Sequence, residues 1–375
     1  MDFDTLVAEA LTAVGPPSGG VVPAIEPATT FLRDDRYDLV GPHSYRRSGS
    51  PTVDGVEQAL ATIEGGAEAL LFGTGMAAFS AILDSLPVGA SVVAPRVMYH
   101  GGLDLLLRLE ERGAIRLHLF ESLDLGGLAR GVEGGVDLVW LETPINPTWT
   151  SIDIAAAASL THAAGGLIAV DSTVAPPVTT RPLARGADFV FHSATKYLNG
   201  HSDVTAGLVV AKEPRGLAGI AERRTELGSV LSPFDAWLLA RGVRTLAVRY
   251  RRASESAMAV AMALEAHPSV ERVLYPGLPS LETHDVAASQ MTDGFGGMLA
   301  LLVADGAGAA KAAATRTRVF KPATSLGGTE SLIEHRASIE GPASVVPTNL
   351  LRLSVGLESP ADLLADMEQA LQTVS

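Results

Sequence analysis

The stretch HSATKYLNGHSDV, residues 192 to 204, holds the first of only four lysines in a chain of 375 residues. Lys196 is flanked by small and hydroxylated residues, Ser193 and Thr195 among them, and follows the apolar run Phe189 to Phe191. Other polar residues end apolar runs in the same way: Asp171 follows LIAV, Glu142 closes VDLVWLE, and Gly73-Thr74-Gly75 follows ALLF. In an open α/β sheet, ligands bind in the crevice beyond the carboxyl ends of the strands, where all of these groups would lie. Singly, each has a simpler explanation: Asp171 as the cap of a helix, the GTG turn as a steric need, Lys196 as a solvated surface group. Taken together they are an amine, a carboxylate and a turn. The helix expected to begin near Met76 would offer free N–H groups to one phosphate monoester.

Pyridoxal phosphate needs that combination. An amine forms a Schiff base with the cofactor aldehyde, and a carboxylate at the ring nitrogen keeps it protonated and strengthens the electron sink. Lys196 supplies the first function in this reading and Asp171 the second. Competing motifs are missing: the chain has no GxxxxGK[ST], no GxGxxG opening a helix with its following acid, no HExxH and no GxSxG.

The elements that must position these groups alternate along the chain. Residues 53 to 64 read as a helix, 67 to 72 as a strand, 77 to 86 as a helix, 91 to 94 as a strand, 101 to 112 as a helix and 115 to 120 as a strand. Further strands are expected at 136–142, 167–171, 189–192 and 207–211. Short β-rich runs separated by helical patterns argue for a mostly parallel α/β sheet covered on both faces. From Ser232 a long helical stretch to about Ala266 precedes strands expected at 273–275, 297–303, 318–320 and 350–355, and a closing helix at 361–371. That pattern reads as a second, smaller α+β domain. The expected organisation is an arm over 1–44, which opens with a short amphipathic helix, a large domain over 45–231 and a small domain over 232–375. An arm of that length, rich in Pro, Gly and Asp, must lean on something, and a neighbouring subunit is one candidate.

Composition closes off other classes. A formal net charge of −14 with no basic stripe argues against nucleic-acid binding, and the absence of cysteine removes disulfides and thiolate chemistry. No metal site is expected. Mean hydropathy is high at +0.25, yet runs such as Leu167 to Val170 and Leu299 to Val303 are far shorter than the ~20 residues that span a bilayer. The start MDFDTLVAEALTAVG lacks a basic end and a long apolar stretch, so a cytoplasmic location is expected.

SATKYLNGHSDVTAG resembles, over its whole length, the lysine signature of the Cys/Met-metabolism (trans-sulfuration) family of pyridoxal-phosphate enzymes, and the similarity runs from about Pro23 to Glu358. The resemblance implies a fold type I, aspartate-aminotransferase-like α/β architecture with a mostly parallel seven-stranded sheet and a smaller C-terminal α+β domain. It implies pyridoxal 5′-phosphate on Lys196, with Ser193, Thr195 and the amides of Gly75 and Met76 near the phosphate. Tyr99 in VMYHGG matches the stacking aromatic, Asn146 in ETPINP the residue facing the phenolic oxygen, and Asp171 the partner of the ring nitrogen. Tyr45 and Arg47 in YRRSGSPT match residues that reach the phosphate of the adjacent subunit, which implies at least a dimer; the family's usual assembly implies a homotetramer built as a dimer of two such dimers. Arg352 in LLRLSVGLE matches the clamp of the substrate α-carboxylate, a bidentate geometry that suits guanidinium, with Ser325 assisting.

Departures from the family bear on substrate choice. Thr324 stands where cystathionine-using γ-enzymes carry glutamate and the β-lyase type tyrosine; Gly101 stands where methionine γ-lyase has its cysteine; and in EHRASIEGPAS, Arg336 replaces a proline and Glu340 falls near the usual threonine-histidine pair. The SLGG segment, in place of the β-lyase SWGG, favours γ-replacement or γ-elimination on cystathionine or an O-acylhomoserine, with small amino acids and a thiol as the partners expected. A cystathionine β-lyase activity, an aminotransferase and a non-catalytic interaction protein retaining the fold are the alternatives.

Overall fold

The computed structural model describes residues 1–10, 19–341 and 344–372. The first part of the Pro-rich arm, at 11–18, therefore lies outside the described residues, as do two residues of EHRASIEGPAS, 342 and 343. Two helices, α1 (Phe3–Glu9) and α2 (Pro51–Glu64), flank the arm. Between them the described backbone forms only isolated bridges, Thr30 with Tyr45 and Arg33 with Leu39, and leaves Leu32, Tyr37 and Val40 exposed.

Then the expected alternation appears: β1 (Glu68–Phe72), α3 (Gly75–Asp84), β2 (Ala90–Pro95), α4 (His100–Glu111), β3 (Ile115–Phe120), α5 (Leu125–Val132), β4 (Leu138–Glu142), α6 (Ile154–Ala163), β5 (Leu167–Asp171), β6 (Phe189–Ser193), β7 (Gly207–Ala211) and α7 (Ala218–Leu227). The seven strands form one sheet in the order β1-β7-β6-β5-β4-β2-β3. Strands β2 to β6 run parallel, whereas β7 pairs antiparallel with both β6 and β1. Central strands β4 and β7 are buried at every position, as helices on both faces of a sheet require. Because β4, β5 and β6 are parallel neighbours, their carboxyl ends carry Glu142, Asp171 and Ser193 to one edge of the sheet.

The later part holds α8 (Pro233–Val243), α9 (Leu246–Leu264), β8 (Val270–Leu274), α10 (His284–Gln290), β9 (Met298–Val303), α11 (Gly306–Arg316), β10 (Lys321–Pro322), β11 (Leu332–His335), α12 (Arg336–Glu340), β12 (Leu350–Ser354) and α13 (Pro360–Leu371). A second sheet, ordered β10-β11-β12-β9-β8, packs its own apolar cluster against α9, α11 and α13.

The structure departs from the expected elements at three places. The strand expected at 318–320 does not form: the amides of Arg318, Val319 and Phe320 donate to the Asp366 carboxylate at 2.7, 2.8 and 2.9 Å, so a side chain satisfies the groups a ladder would have used. Strand pairing starts only at Lys321. β11 was missed because Glu334 and His335 interrupt the apolar run, although all four of its residues are buried. The single helix expected from 232 to 266 is two, α8 and α9, parted at Arg244 and Thr245.

That elbow fixes the loop that follows Lys196. Arg249 of α9 donates to the carbonyls of Tyr197 at 3.0 Å and Gly242 at 2.7 Å, clamping the loop after Lys196 to α8. A Cβ on Gly242 would stand 2.1 Å from the Asn199 carbonyl oxygen, so the close approach admits only glycine. Gly242→Ala is expected to destabilise the protein by roughly 2 kcal/mol or more, because backbone must move to relieve the overlap. An unchanged midpoint in denaturant unfolding would mean the joint yields without cost.

Candidate active site

One cavity of about 270 Å³ gathers most of the residues singled out from sequence: Gly75, Met76, Tyr99, Asn146, Asp171, Ser193, Thr195, Lys196, Thr324, Ser325 and Arg352 all line it. Tyr45 and Arg47 do not. Both are exposed, and the Arg47 guanidinium stands 5.8 Å from the centre of the Tyr45 ring.

One end of the cavity is built at the start of α3. Thr74 caps that helix by accepting the Ala77 amide at 3.0 Å. The first intrahelical bond runs from Ala78 to Thr74, so the amides of Gly75 and Met76 are left for an outside acceptor. A Cβ on Gly75 would lie 3.1 Å from Ser193 Cβ, so glycine lets the helix start sit close against the end of β6. The Thr195 hydroxyl is engaged with the Ala206 peptide, accepting its amide at 2.9 Å and facing its carbonyl at 3.2 Å.

Lys196 Nζ donates to Ser325 Oγ at 2.9 Å. Burial pushes the amine down to about 8, with the Arg352 cation adding to the effect and Glu334 opposing it. Ser325 holds this contact from an unfavourable backbone conformation, φ 139°, a region that costs a non-glycine residue about 1–3 kcal/mol. Its carbonyl oxygen accepts from Arg352 Nη2 at 3.0 Å, and Arg352 Nη1 reaches Asn146 Oδ1 at 3.2 Å. The surrounding apolar burial lowers the Arg352 guanidinium to about 10, against the pull of Glu334.

Asp171 Oδ1 accepts the Thr173 amide at 2.9 Å, and Thr173 Oγ1 accepts the amide of Ser193, tying the ends of β5 and β6 together. Burial raises the Asp171 carboxyl, and raises Glu142 beside it further because Asp171 adds a like charge. Glu142, noted in the sequence but given no role there, organises the opposite wall: it accepts the Tyr99 amide at 2.6 Å and the Asn146 amide at 2.8 Å. Tyr99 is left 41% exposed, its ring centre 5.1 Å from that of His100 in an edge-on arrangement. A Cβ at Gly101 would come 2.9 Å from Tyr99 Cε1, so glycine there leaves room for the ring.

Two further groups were not found from sequence. His100 lines the cavity at the start of α4, and Glu334 bonds both Arg352 and Thr324. The only signal for Glu334 was an acid inside an apolar run, which also describes an ordinary structural ion pair.

The donor set fits a phosphorylated pyridine aldehyde: two free helix amides and the Ser193 hydroxyl for the phosphate, Asp171 for the ring nitrogen, a desolvated amine for the aldehyde. Fold and site together define a pyridoxal-phosphate-dependent enzyme of fold type I. The chain belongs to the Cys/Met metabolism PLP-dependent enzyme family, whose model matches residues 4–372. It is 43% identical over 362 residues to the cystathionine gamma-synthase of Mycobacterium tuberculosis (strain H37Rv), covering 95% of this chain and 93% of that protein. Identity to the cystathionine beta-lyase of Coxiella burnetii is 36% over 380 residues, covering 98% and 97%. The crystal structure of cystathionine gamma synthase from Xanthomonas oryzae pv. oryzae in complex with cystathionine superposes with a TM-score of 0.96 at 36% identity, covering 100% of this chain and 98% of that one.

Proposed function

We propose that the chain catalyses γ-replacement or γ-elimination on cystathionine or an O-acylhomoserine. The observation that carries this reading is the meeting of Lys196 and Arg352 on one residue, Ser325: Nζ bonds its hydroxyl and the guanidinium its carbonyl. An α-amino acid held by its carboxylate on Arg352 brings its α-carbon to the amine. The similarity to a cystathionine gamma-synthase over nearly the whole chain supports the γ-position as the site of bond cleavage.

Bound pyridoxal phosphate supplies the electron sink for the carbanion at the α-carbon. The chain's residues do the rest. Arg352, steadied by Asn146, fixes the carboxylate end, and Lys196, whose amine burial brings down to about 8, takes the α-proton as a general base. For a leaving group on the γ-carbon, Lys196 also moves a β-proton before that group departs. Tyr99, held by Glu142 through its amide, would stack on the bound cofactor and could serve as an acid or base.

Lys196, Tyr99, Asp171, Ser193, Thr195, Asn146, Gly75 and Met76 are thus assigned to catalysis and cofactor, and Ser325, Thr324 and Arg352 to substrate. Exposed Tyr45 and Arg47, outside their own cavity, suit a role in the adjacent subunit's site within a homotetramer built as a dimer of dimers. The arm over 1–44, the large domain over 45–231 and the small domain over 232–375 are the units of that assembly. Among the described residues no helix is long and apolar enough to cross a membrane; we assign the enzyme to the cytoplasm.

A β-lyase is the second reading, favoured by the similarity to the Coxiella burnetii protein along the whole chain. Steady-state assays with O-succinylhomoserine, O-acetylhomoserine and cystathionine, each with and without a thiol, separate the two. We expect thiol-dependent γ-replacement or 2-oxobutyrate release. Pyruvate from cystathionine as the sole product would overturn the γ-assignment.

A further inference from the structure

Arg336 stands where the family resemblance places a proline, and its charged side chain is only 2% exposed. It opens α12 directly after β11, lines the cavity and meets two carboxylates: Nη1 lies 3.2 Å from Glu334 Oε2, and Nη2 2.6 Å from Glu340 Oε1. Nη2 is also 3.4 Å from His100 Nδ1, while Nε has no hydrogen-bond partner. Glu334 Oε2 is shared, because it pairs with Arg352 Nη2 as well, and Oε1 accepts from Thr324 Oγ1 at 2.9 Å. Glu340 Oε2 accepts from Ser344 Oγ. Arg352, Glu334, Arg336 and Glu340 therefore form a row of alternating charge that sums to zero in the wall of the cavity.

That row contains a competition. Glu334 occupies the guanidinium that an incoming α-carboxylate must reach. We propose that Arg336, balanced by Glu340, is a positioning residue that retains Glu334 when Arg352 turns to the substrate, and so sets the affinity for the substrate carboxylate. This rests on the reading of Arg352 as the carboxylate clamp. With Arg336 present, Glu334 gives up Arg352 Nη2 and keeps a cation and the Thr324 hydroxyl. Without it, Glu334 has Arg352 as its one cationic partner here, and the row is left with one cation and two carboxylates facing an anionic group. Buried charges of like sign without a partner are strongly unfavourable, so the cost falls on binding the substrate carboxylate and not on the proton transfers at Lys196.

The test is calorimetric titration of the holoenzyme with L-norleucine, which carries the α-carboxylate but no leaving group, alongside steady-state kinetics. Arg336→Met is expected to weaken norleucine binding and raise KM by roughly 10-fold or more with kcat changed less than about 3-fold, and Arg336→Met/Glu334→Gln to recover most of the loss. Glu334→Gln alone, which removes the competitor while keeping a hydrogen-bond acceptor, is expected to bind norleucine at least as tightly as the parent. Were Arg336→Met to misfold, weaker binding by Glu334→Gln would still refute the competition. A fall in kcat at unchanged KM in Arg336→Met, or failure of the second substitution to rescue, would reduce Arg336 to a prop for α12. Arg352→Met separates the two layers: if it binds norleucine like the parent the clamp itself is wrong, whereas if it fails to bind and Arg336→Met binds normally, only the positioning role falls.

Discussion

Replacing Lys196 by alanine abolishes turnover, by at least ~10⁴-fold, while the circular dichroism spectrum stays that of the parent. Removing a buried amine whose burial already pushes it down to about 8 costs little stability, since the one hydrogen bond lost is that to Ser325. The three other lysines, Lys212, Lys311 and Lys321, are exposed and cannot substitute. Borohydride reduction followed by peptide mass analysis should find the cofactor on Lys196 in the parent and on no lysine in the variant. Cofactor uptake by the parent chain should also depend on pH in a defined way. The neutral amine is the nucleophile, so with a folded-state value of about 8 the rate rises tenfold per unit below that pH and flattens above it. An ordinary lysine would keep rising to about 10.5. Uptake that climbs without a plateau at pH 8 to 9 would show that the amine is not desolvated as the structure has it.

Asp171→Asn has the second largest effect and acts in two directions. Activity should fall, on the order of 10²- to 10³-fold, because the carboxylate proposed to keep the ring nitrogen protonated is gone. The cofactor-free chain should instead gain roughly 1–2 kcal/mol near neutral pH. Asp171 and Glu142 end neighbouring strands in register, both buried, and burial raises both carboxyls. The sign is set by proton counts: a raised folded-state value means the folded chain binds protons that the unfolded chain has already released. The penalty is therefore absent below the ordinary aspartate value of 3.8 and grows as pH rises through and above it. Denaturant unfolding of cofactor-free parent and variant at pH 4 and pH 8 measures this directly. The difference should be small at the lower pH and favour the asparagine at the higher; a parent more stable than the variant at pH 8 would mean Asp171 is paired with a cation in the folded chain.

Much of the site was legible because strand ends are written locally. LIAV followed by Asp171, and FVF followed by HSATK, each say where an apolar run stops and which side chain comes next. Parallel pairing of β4, β5 and β6 then brings the ends together without further information. The strand at 318–320 failed for the opposite reason: Asp366, some 46 residues further on, captures the amides that local propensity had assigned to a ladder. Glu334 and His335 concealed β11 because polar residues in a buried strand are satisfied by partners that are remote in the chain, Arg352 and the Thr348 carbonyl among them.

The sequence by itself determined the chemistry: a lone lysine among hydroxyls, a carboxylate and an amide-rich turn at strand ends, and an arginine inside an apolar strand, groups whose identities and neighbours are local properties. Only the tertiary structure decided how those charges are shared. That Glu334 is divided between Arg352 and Arg336, that Asp171 adds to the cost of ionising Glu142, and that Tyr45 and Arg47 stand outside their own cavity all depend on distances between segments far apart in the chain. Charge interactions fall with separation and strengthen with burial, and neither quantity exists until the chain has folded.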